Sequence, residues 1–343
     1  MASKKKSTFV KPNAREITTA VALIDDKSQF MEFLRKCSDV SAEVSAQNSL
    51  FPPIATPGRH DWLTSFPTPP ESFQSWERKI RNHVNSRMKT IYILPLGEFT
   101  RDKSSGSELG VRFLGDLEAY TSSFFTGMVV KMMKEVPVAE LKCKSRQHMV
   151  DDKVVREQLM VSGIFAYMKS VKPRDAYCVV AVTMMDLYPN DEWNFVFGQA
   201  SLQQGIGVFS FARYHPNFFE RDKSVAIDTL HQLTPDDYQM LRWRAIKVLT
   251  HEIGHMFGLR HCVYFTCLLN GSNHAEESDR KLTFLCPVCL RKIQHAIKFD
   301  FLARYEGLVK FFQERLISAH NKNDKFLLCK EWLDRAISLA VQL

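Results

Sequence analysis

The sequence predicts an α/β fold: a mostly parallel, twisted sheet with an antiparallel edge strand, one long helix carrying the chemistry, and C-terminal helices. Three observations predict it. Between residues 90 and 187, short β-branched runs alternate with longer helical patterns, the order that gives right-handed crossovers and parallel pairing. Two apolar runs, 194–200 and 206–213, then follow with no helix between them, so the short link at 201–205 makes them antiparallel and sets one at an edge. Finally, a helical pattern over 235–257 contains H-E-x-x-H.

Taken in order, residues 1 to about 20 are polar and read as an unstructured tail, and 26–37 as a short helix. The proline-rich stretch 51–70 must run extended over a surface. It is either a linker or a strap that shields or regulates the cleft; Phe51, Trp62 and Phe66, costly to leave in water, speak for the strap. Next come a strand at 90–94, a helix at 111–126, a strand at 129–138, an amphipathic helix at 154–169 and a Val-rich strand at 176–187. A polar loop from 216 ends in Thr234-Pro235-Asp236-Asp237, with a capping residue, proline at the first helical position and acids in the first turn. Helices are expected again at 290–296, 299–320 and 324–341, the last two pairing as a hairpin about a turn at 321–323. The expected division is an N-terminal region 1–88, a catalytic domain 89–300 and a C-terminal helical hairpin 301–343.

Composition narrows the partners. With 343 residues, 45% of them hydrophobic, the chain can build one large core and a smaller appendage. Its net charge of +8 suits nucleic acid or anionic membrane, yet the one compact basic run is Lys4-Lys5-Lys6. The loop with the cysteines mixes Glu276, Glu277 and Asp279 with Arg280 and Lys281 and is no basic patch. Neither nucleic acid nor membrane is therefore an expected partner, and a monomer is expected. No apolar stretch reaches the roughly 18 residues of a spanning helix, and none near the start suits a signal peptide. A cytoplasmic or nuclear chain with reduced thiols is the expectation, and in that setting clustered cysteines favour zinc over disulfides. Cys37, Cys143, Cys178 and Cys329 are scattered and read as ordinary thiols.

The chemistry concentrates in 251–289. On a helix His251 and His255 sit one turn apart, so both imidazoles reach one metal. Glu252 lies about 100° round the helix, beside the metal without being forced to ligate it, where a general base must stand to take a proton from water the metal has acidified. Gly258 can adopt the positive φ that ends a helix and lets the chain return His261 to the same metal. Three imidazoles leave a fourth zinc position open, the mark of a catalytic site. H-E-x-x-H alone arises by chance in roughly one chain of this length in a hundred; with Gly258 and His261 added, in about one in a hundred thousand. Apolar residues Leu241, Ala245, Ile246, Leu249, Ile253, Met256 and Phe257 form one arc and Arg244, Lys247, His251 and His255 the other, so the histidines are expected to face a cleft. Cys262, Cys267, Cys286 and Cys289 would close a tetrahedral, structural zinc site, with Cys286-Pro287-Val288-Cys289 as its knuckle.

H-E-x-x-H-x-x-G-x-x-H is the metzincin signature, and its continuation into H-C-x4-C with a distal C-x-x-C resembles the archaemetzincin family of zinc metallopeptidases. The resemblance implies a metzincin-like zincin domain, a catalytic zinc on His251, His255 and His261 with Glu252 as base, and a structural zinc on the four cysteines. It also implies a peptide or protein substrate, held along a strand within 193–207, with internal cleavage and aminopeptidase-like action on short peptides both open. Free N–H and C=O groups on an edge strand suit the same substrate class. Tyr264 and His274 are candidates for a second oxyanion donor. One departure stands out: Leu269 occupies the position of the family's Met-turn methionine, a swap of similar volume that puts the tuning of the metal site in question more than the fold. The alternative function is a zinc-stabilised interaction module with little catalysis.

Overall fold

The computed structural model describes residues 9–23, 27–40, 49–79, 83–97, 99, 105–150, 154–219, 233–317 and 324–343. The basic run at 4–6, the turn at 321–323 and most of the polar loop before Thr234 lie outside the described residues. The chain forms two compact units: Met1–Arg81, Gly258–Val309 and Leu328–Leu343 make the first, Asn82–Phe257 and Lys310–Leu327 the second.

The first unit opens with α1 (Ala14–Val21) and α2 (Gln29–Ser38). Helix α1 lies where the composition suggests a tail, and its cause is local. Asn13 accepts the N–H of Glu16 while the Glu16 carboxylate accepts that of Asn13, a reciprocal capping box. Its face of Ile17, Ala20 and Val21 is buried. The proline-rich stretch does run extended, broken by the short α3 (Trp62–Ser65) and followed by α4 (Phe73–Glu77). It is packed rather than loose. Pro53 pairs with Phe265 as an antiparallel bridge, the N–H of Ile54 donates to Tyr264 O at 3.1 Å, and that of Thr266 to Pro52 O at 2.8 Å. Ile54, Leu63 and Val263 share a small core with Trp62 against it, and Phe51 is fully buried beside Trp332 and Phe265.

In the second unit, β1 (Thr90–Leu96), α5 (Ser105–Phe124), β2 (Val129–Met132), β3 (Ser145–Val150), β4 (Val154–Met160), α6 (Val161–Val171), β5 (Ala176–Thr183), β6 (Asp186–Tyr188), β7 (Gly198–Ser201) and β8 (Ile206–Ser210) lead to α7 (Pro235–Met256). The main sheet runs β2-β1-β5-β8-β7, parallel throughout except for β7, which pairs antiparallel to β8 at the edge. All eight residues of β5 are buried, as both faces of a covered parallel sheet require. Leu94, Ile164, Met168, Val179, Ala181 and Val208 belong to the core on one side.

One expected helix is corrected. Residues 154–160 are a strand, and only from Val161 is the chain helical. Strand β4 pairs antiparallel with β3 and parallel with β6 in a second, three-stranded sheet. A polar ladder crosses it: Arg146 Nε donates to Gln158 Oε1 at 2.8 Å and Gln158 Nε2 to Asp186 Oδ2 at 2.8 Å. Arg213 closes the ladder on Asp186 with bonds of 2.9 and 2.8 Å. These cross-strand bonds satisfy the buried Gln158 and Asp186 and outweigh a local helical pattern. The strand expected over 129–138 likewise ends at Met132.

The chain continues through α8 (Ala275–Arg280), α9 (Pro287–Ile297), α10 (Phe301–Phe311) and α11 (Asp324–Val341). Helix α10 runs on as a π-helical turn, Phe312–Leu316. Tyr305 of α10 packs edge-on against Trp332 of α11, ring centroids 5.9 Å apart. Among the described residues no helix is long and apolar enough to cross a membrane.

Candidate active site

Helix α7 begins where its cap residues place it. Thr234 accepts the N–H of Asp237 at 3.1 Å, with Pro235 at the first helical position. The two-faced arc expected for it is corrected: Lys247 and His251 are buried along with the apolar residues, so the helix is covered on nearly all sides. His255 and Glu252 are half-buried. Buried charge fixes the helix against α5, where the Arg242 guanidinium meets the Asp116 carboxylate through Nε at 3.0 Å and a second, shorter bond from Nη2. Phe257, which caps the C-terminus, stacks on Tyr177 at 4.6 Å and on Phe125 at 5.4 Å.

At that end the Nε2 atoms of His251 and His255 face each other across 3.0 Å, their rings perpendicular at 89°. Two nitrogens of a tetrahedral zinc shell stand about 3.3 Å apart, from Zn–N bonds of about 2.0–2.1 Å. Gly258 has φ of 78°, the left-handed value that a Cβ would penalise, and the chain there leaves the helix. His261, three residues beyond Gly258, is the third imidazole of the motif. A zinc-sized ion fits this donor set.

The four cysteines also converge. Their sulfurs lie within 4.8 Å of one another, Cys262 to Cys286 being 3.6 Å, against about 3.8 Å for two sulfurs on one tetrahedral zinc and 2.05 Å for a disulfide. All four are buried. Hydrogen bonds from Cys267, Cys286 and Cys289 hold the Cys262 thiol well below its ordinary pKa, whereas burial first, and then the neighbouring thiols, hold Cys286 well above it. Four buried sulfurs this close together suit a soft divalent ion. Backbone donors support the set: the N–H groups of Leu269 and Cys286 each point at Cys267 Sγ at 3.4 Å.

Asn270 organises the loop, and nothing in the reading of the motifs singled it out. Its Oδ1 accepts the Cys267 N–H at 2.7 Å while Nδ2 donates to Cys262 O and Phe265 O at 2.8 and 2.9 Å. The available signal was Asn-Gly, a turn dipeptide three residues after a ligand. Leu269 is fully buried and its carbonyl accepts the Cys262 N–H at 2.8 Å, so its backbone ties this position to the cysteine loop. Of the two candidate oxyanion donors, His274 is engaged elsewhere. Tyr264 is buried, its phenol pushed up first by burial and then by the thiols. His274 caps α8, accepting the Glu277 N–H at 3.3 Å. With Asp61 and Glu277 it forms a third group of possible ligands, beside a cavity of about 780 Å³ lined by Arg59, Asp61, Asn270, Glu277 and Arg280.

A sequence model described as Peptidase family M54 matches residues 116–295. Archaemetzincin-2 of Mus musculus is 38% identical over 320 residues, covering 85% of this chain and 87% of its own. The chain belongs to the archaemetzincins, peptidase family M54. Archaemetzincin-2 of Homo sapiens is 39% identical over 280 residues, 78% of this chain and 76% of its own. Among solved structures, archaemetzincin AmzA from Methanopyrus kandleri is similar over 63% of this chain and 99% of that one, with 23% identity and a TM-score of 0.43. The family resemblance read from H-E-x-x-H-x-x-G-x-x-H-C is thereby borne out: archaemetzincins are zinc metallopeptidases, enzymes acting on peptides or proteins.

Proposed function

We propose that the chain hydrolyses peptide bonds at one zinc held by His251, His255 and His261, with Glu252 as general base, and that a second, structural zinc is held by Cys262, Cys267, Cys286 and Cys289. The observation that carries this is the approach of the His251 and His255 Nε2 atoms to 3.0 Å, a distance suited to two nitrogens on one ion. When bound there, zinc supplies a water acidified to a pKa of about 7 and polarisation of the scissile carbonyl. Glu252, on the same helical turn and half-buried, takes the proton of the attacking water and hands it to the departing amine. Helix α7, fixed by Thr234 at one end and Phe257 at the other, keeps these groups in place through both transfers. Strand β7, at the edge of the sheet, offers backbone groups for an extended peptide to pair with. Eight free thiols, seven of them buried, suit a reducing compartment such as cytoplasm or nucleus.

The test is digestion of a mixed peptide library by zinc-loaded protein, read by mass spectrometry beside Glu252→Ala with its metal counted. Glu252→Ala is expected to keep its zinc and lose roughly 10²- to 10⁴-fold in turnover. Cuts confined to the first residue would make the activity aminopeptidase-like, and internal cuts would make it an endopeptidase. Loss of metal from the variant would make Glu252 a ligand and refute its role as base. Absence of cleavage with two ions bound would favour an interaction module instead.

A further inference from the structure

The third histidine is held differently from the first two. His251 and His255 stand on consecutive turns of a helix, whereas His261 lies in the irregular chain after Gly258, where no helical backbone directs the ring. Against it stands Trp62 of the N-terminal strap, edge to face, ring centroids 4.7 Å apart and planes at 82°.

Trp62 is itself clamped. Its backbone N–H donates to Glu277 Oε1 at 2.9 Å, and the other Glu277 oxygen accepts the Asn273 N–H at 2.7 Å. Asp61, the preceding residue, accepts the Gly58 N–H and the Arg280 guanidinium, each at 2.8 Å, and faces His274 at 3.3 Å. Asp61, His274 and Glu277 are close enough together to hold an ion, but every ligand atom among them already has one of these partners, so the cluster is better understood as the clamp. Phe66 packs on the indole with ring centroids 4.5 Å apart. On another side Gly271 leaves just enough room, since a Cβ there would lie 2.4 Å from the ring. The indole N–H is buried and has no acceptor among the described residues, so packing there decides where the ring sits.

We infer that Trp62 is a positioning residue for the histidine metal site: a side chain from the N-terminal strap that sets the ring plane of His261, and with it the direction of the third ligand. An imidazole binds a metal along one lone pair, so a ring free to turn spends less time in the binding orientation, and groups outside the ligand set commonly change affinity 10- to 100-fold. This inference rests on the zinc assignment proposed above.

The test equilibrates the full chain with buffers of graded free zinc and counts ions per chain, alongside cobalt(II) exchange followed by visible absorption. The wild-type chain is expected to take two ions and His255→Ala one. Trp62→Ala should need 10- to 100-fold more free zinc to fill the second site, with its cobalt d–d bands altered and the thiolate-to-cobalt charge-transfer band unchanged. Trp62→Phe, which keeps an aromatic face, should bind close to wild type. Gly271→Ala should reproduce the weakening by pushing the indole aside, and it carries the test if Trp62→Ala does not fold. If Trp62→Ala and Gly271→Ala fill the second site at the wild-type zinc concentration with wild-type bands, the role of Trp62 is overturned while the zinc assignment stands. If the wild-type chain takes no ion that depends on His255, the zinc assignment fails and this inference with it.

Discussion

Replacing Asp116 with alanine tests whether the helix that carries His251 and His255 is held by buried charge. The Asp116 and Arg242 side chains are 3% and 1% exposed. Asp116 accepts from Arg242 Nε at 3.0 Å and again from Nη2, and the Arg315 guanidinium stands 3.6 Å from its other oxygen. Removing the carboxylate leaves Arg242 with Gln239 Oε1 at 2.7 Å and Arg315 O at 3.2 Å, two neutral acceptors for a charge with no water around it. Breaking one side of a buried pair costs about 3–5 kcal/mol. At about 2–4 °C per kcal/mol this lowers the melting temperature by roughly 6–20 °C, measured by circular dichroism with zinc saturating. The double variant Asp116→Ala/Arg242→Met removes both charges and should recover a large part of the loss, because the cost lies in the stranded guanidinium more than in the lost attraction. A loss under about 1 kcal/mol for the single variant, or a double variant no more stable than the single, would refute this account.

Burial first, and Arg156 second, hold the His215 imidazole down to about 4, and its Nδ1 accepts the Asn217 N–H at 3.1 Å, a bond that only the unprotonated nitrogen can make. The unfolded chain takes up this proton near 6.5 and the folded chain only near 4, so stability should fall as pH drops through that window and stay level above it; urea titrations should show the slope reduced in His215→Gln. Leu269→Met installs the residue that the family resemblance implies at a fully buried, apolar position and should change stability by less than about 1.5 kcal/mol, with any larger effect confined to metal affinity or turnover. Cys286→Ser should lose both ions and His255→Ala only one, as zinc counts per chain would register; a Cys286→Ser chain that keeps a His255-dependent ion would contradict the coupling between the sites.

What the sequence made legible is what local chemistry decides. Thr234 and Pro235 announce the start of α7 and Gly258 its end, each within a residue or two of its expected place, and the Val-rich run from 176 announces β5, which stops at Thr183, four residues short of the expected 187. The antiparallel edge strand followed from the shortness of the link before β8. Misreadings arose where distant partners decide. Residues 154–160 are a strand because Arg146, Asp186 and Arg213 assemble one polar ladder around Gln158, and none of those partners is a sequence neighbour. The contact of Trp62 with His261 spans about two hundred residues of chain and leaves no periodic trace. Helix α1 is a different kind of miss, since Asn13 and Glu16 spelled out its capping box in a segment judged by composition alone.

The adjacency of His261 and Cys262 gives the four-cysteine cluster a consequence beyond stability. Consecutive residues are proposed to ligate different ions, so whatever fixes Cys262 also fixes the backbone from which the His261 ring projects. Cys262 is fixed three times over: its N–H donates to Leu269 O at 2.8 Å, its carbonyl accepts from Asn270 at 2.8 Å, and its sulfur sits among three others. Losing the thiolate-bound ion removes what unites those sulfurs, and it leaves buried thiolates that must take up protons. The loop from 262 to 289 keeps its hydrogen bonds to Asn270 and to the proline-rich stretch but loses the centre that draws Cys262 and Cys286 together, and the backbone that carries His261 loosens with it. The reverse does not follow, because His251 and His255 are held by the backbone of α7 whether or not an ion joins them. Dependence of the histidine site on the cysteine site, and not the other way round, is therefore what one peptide bond between two ligands imposes.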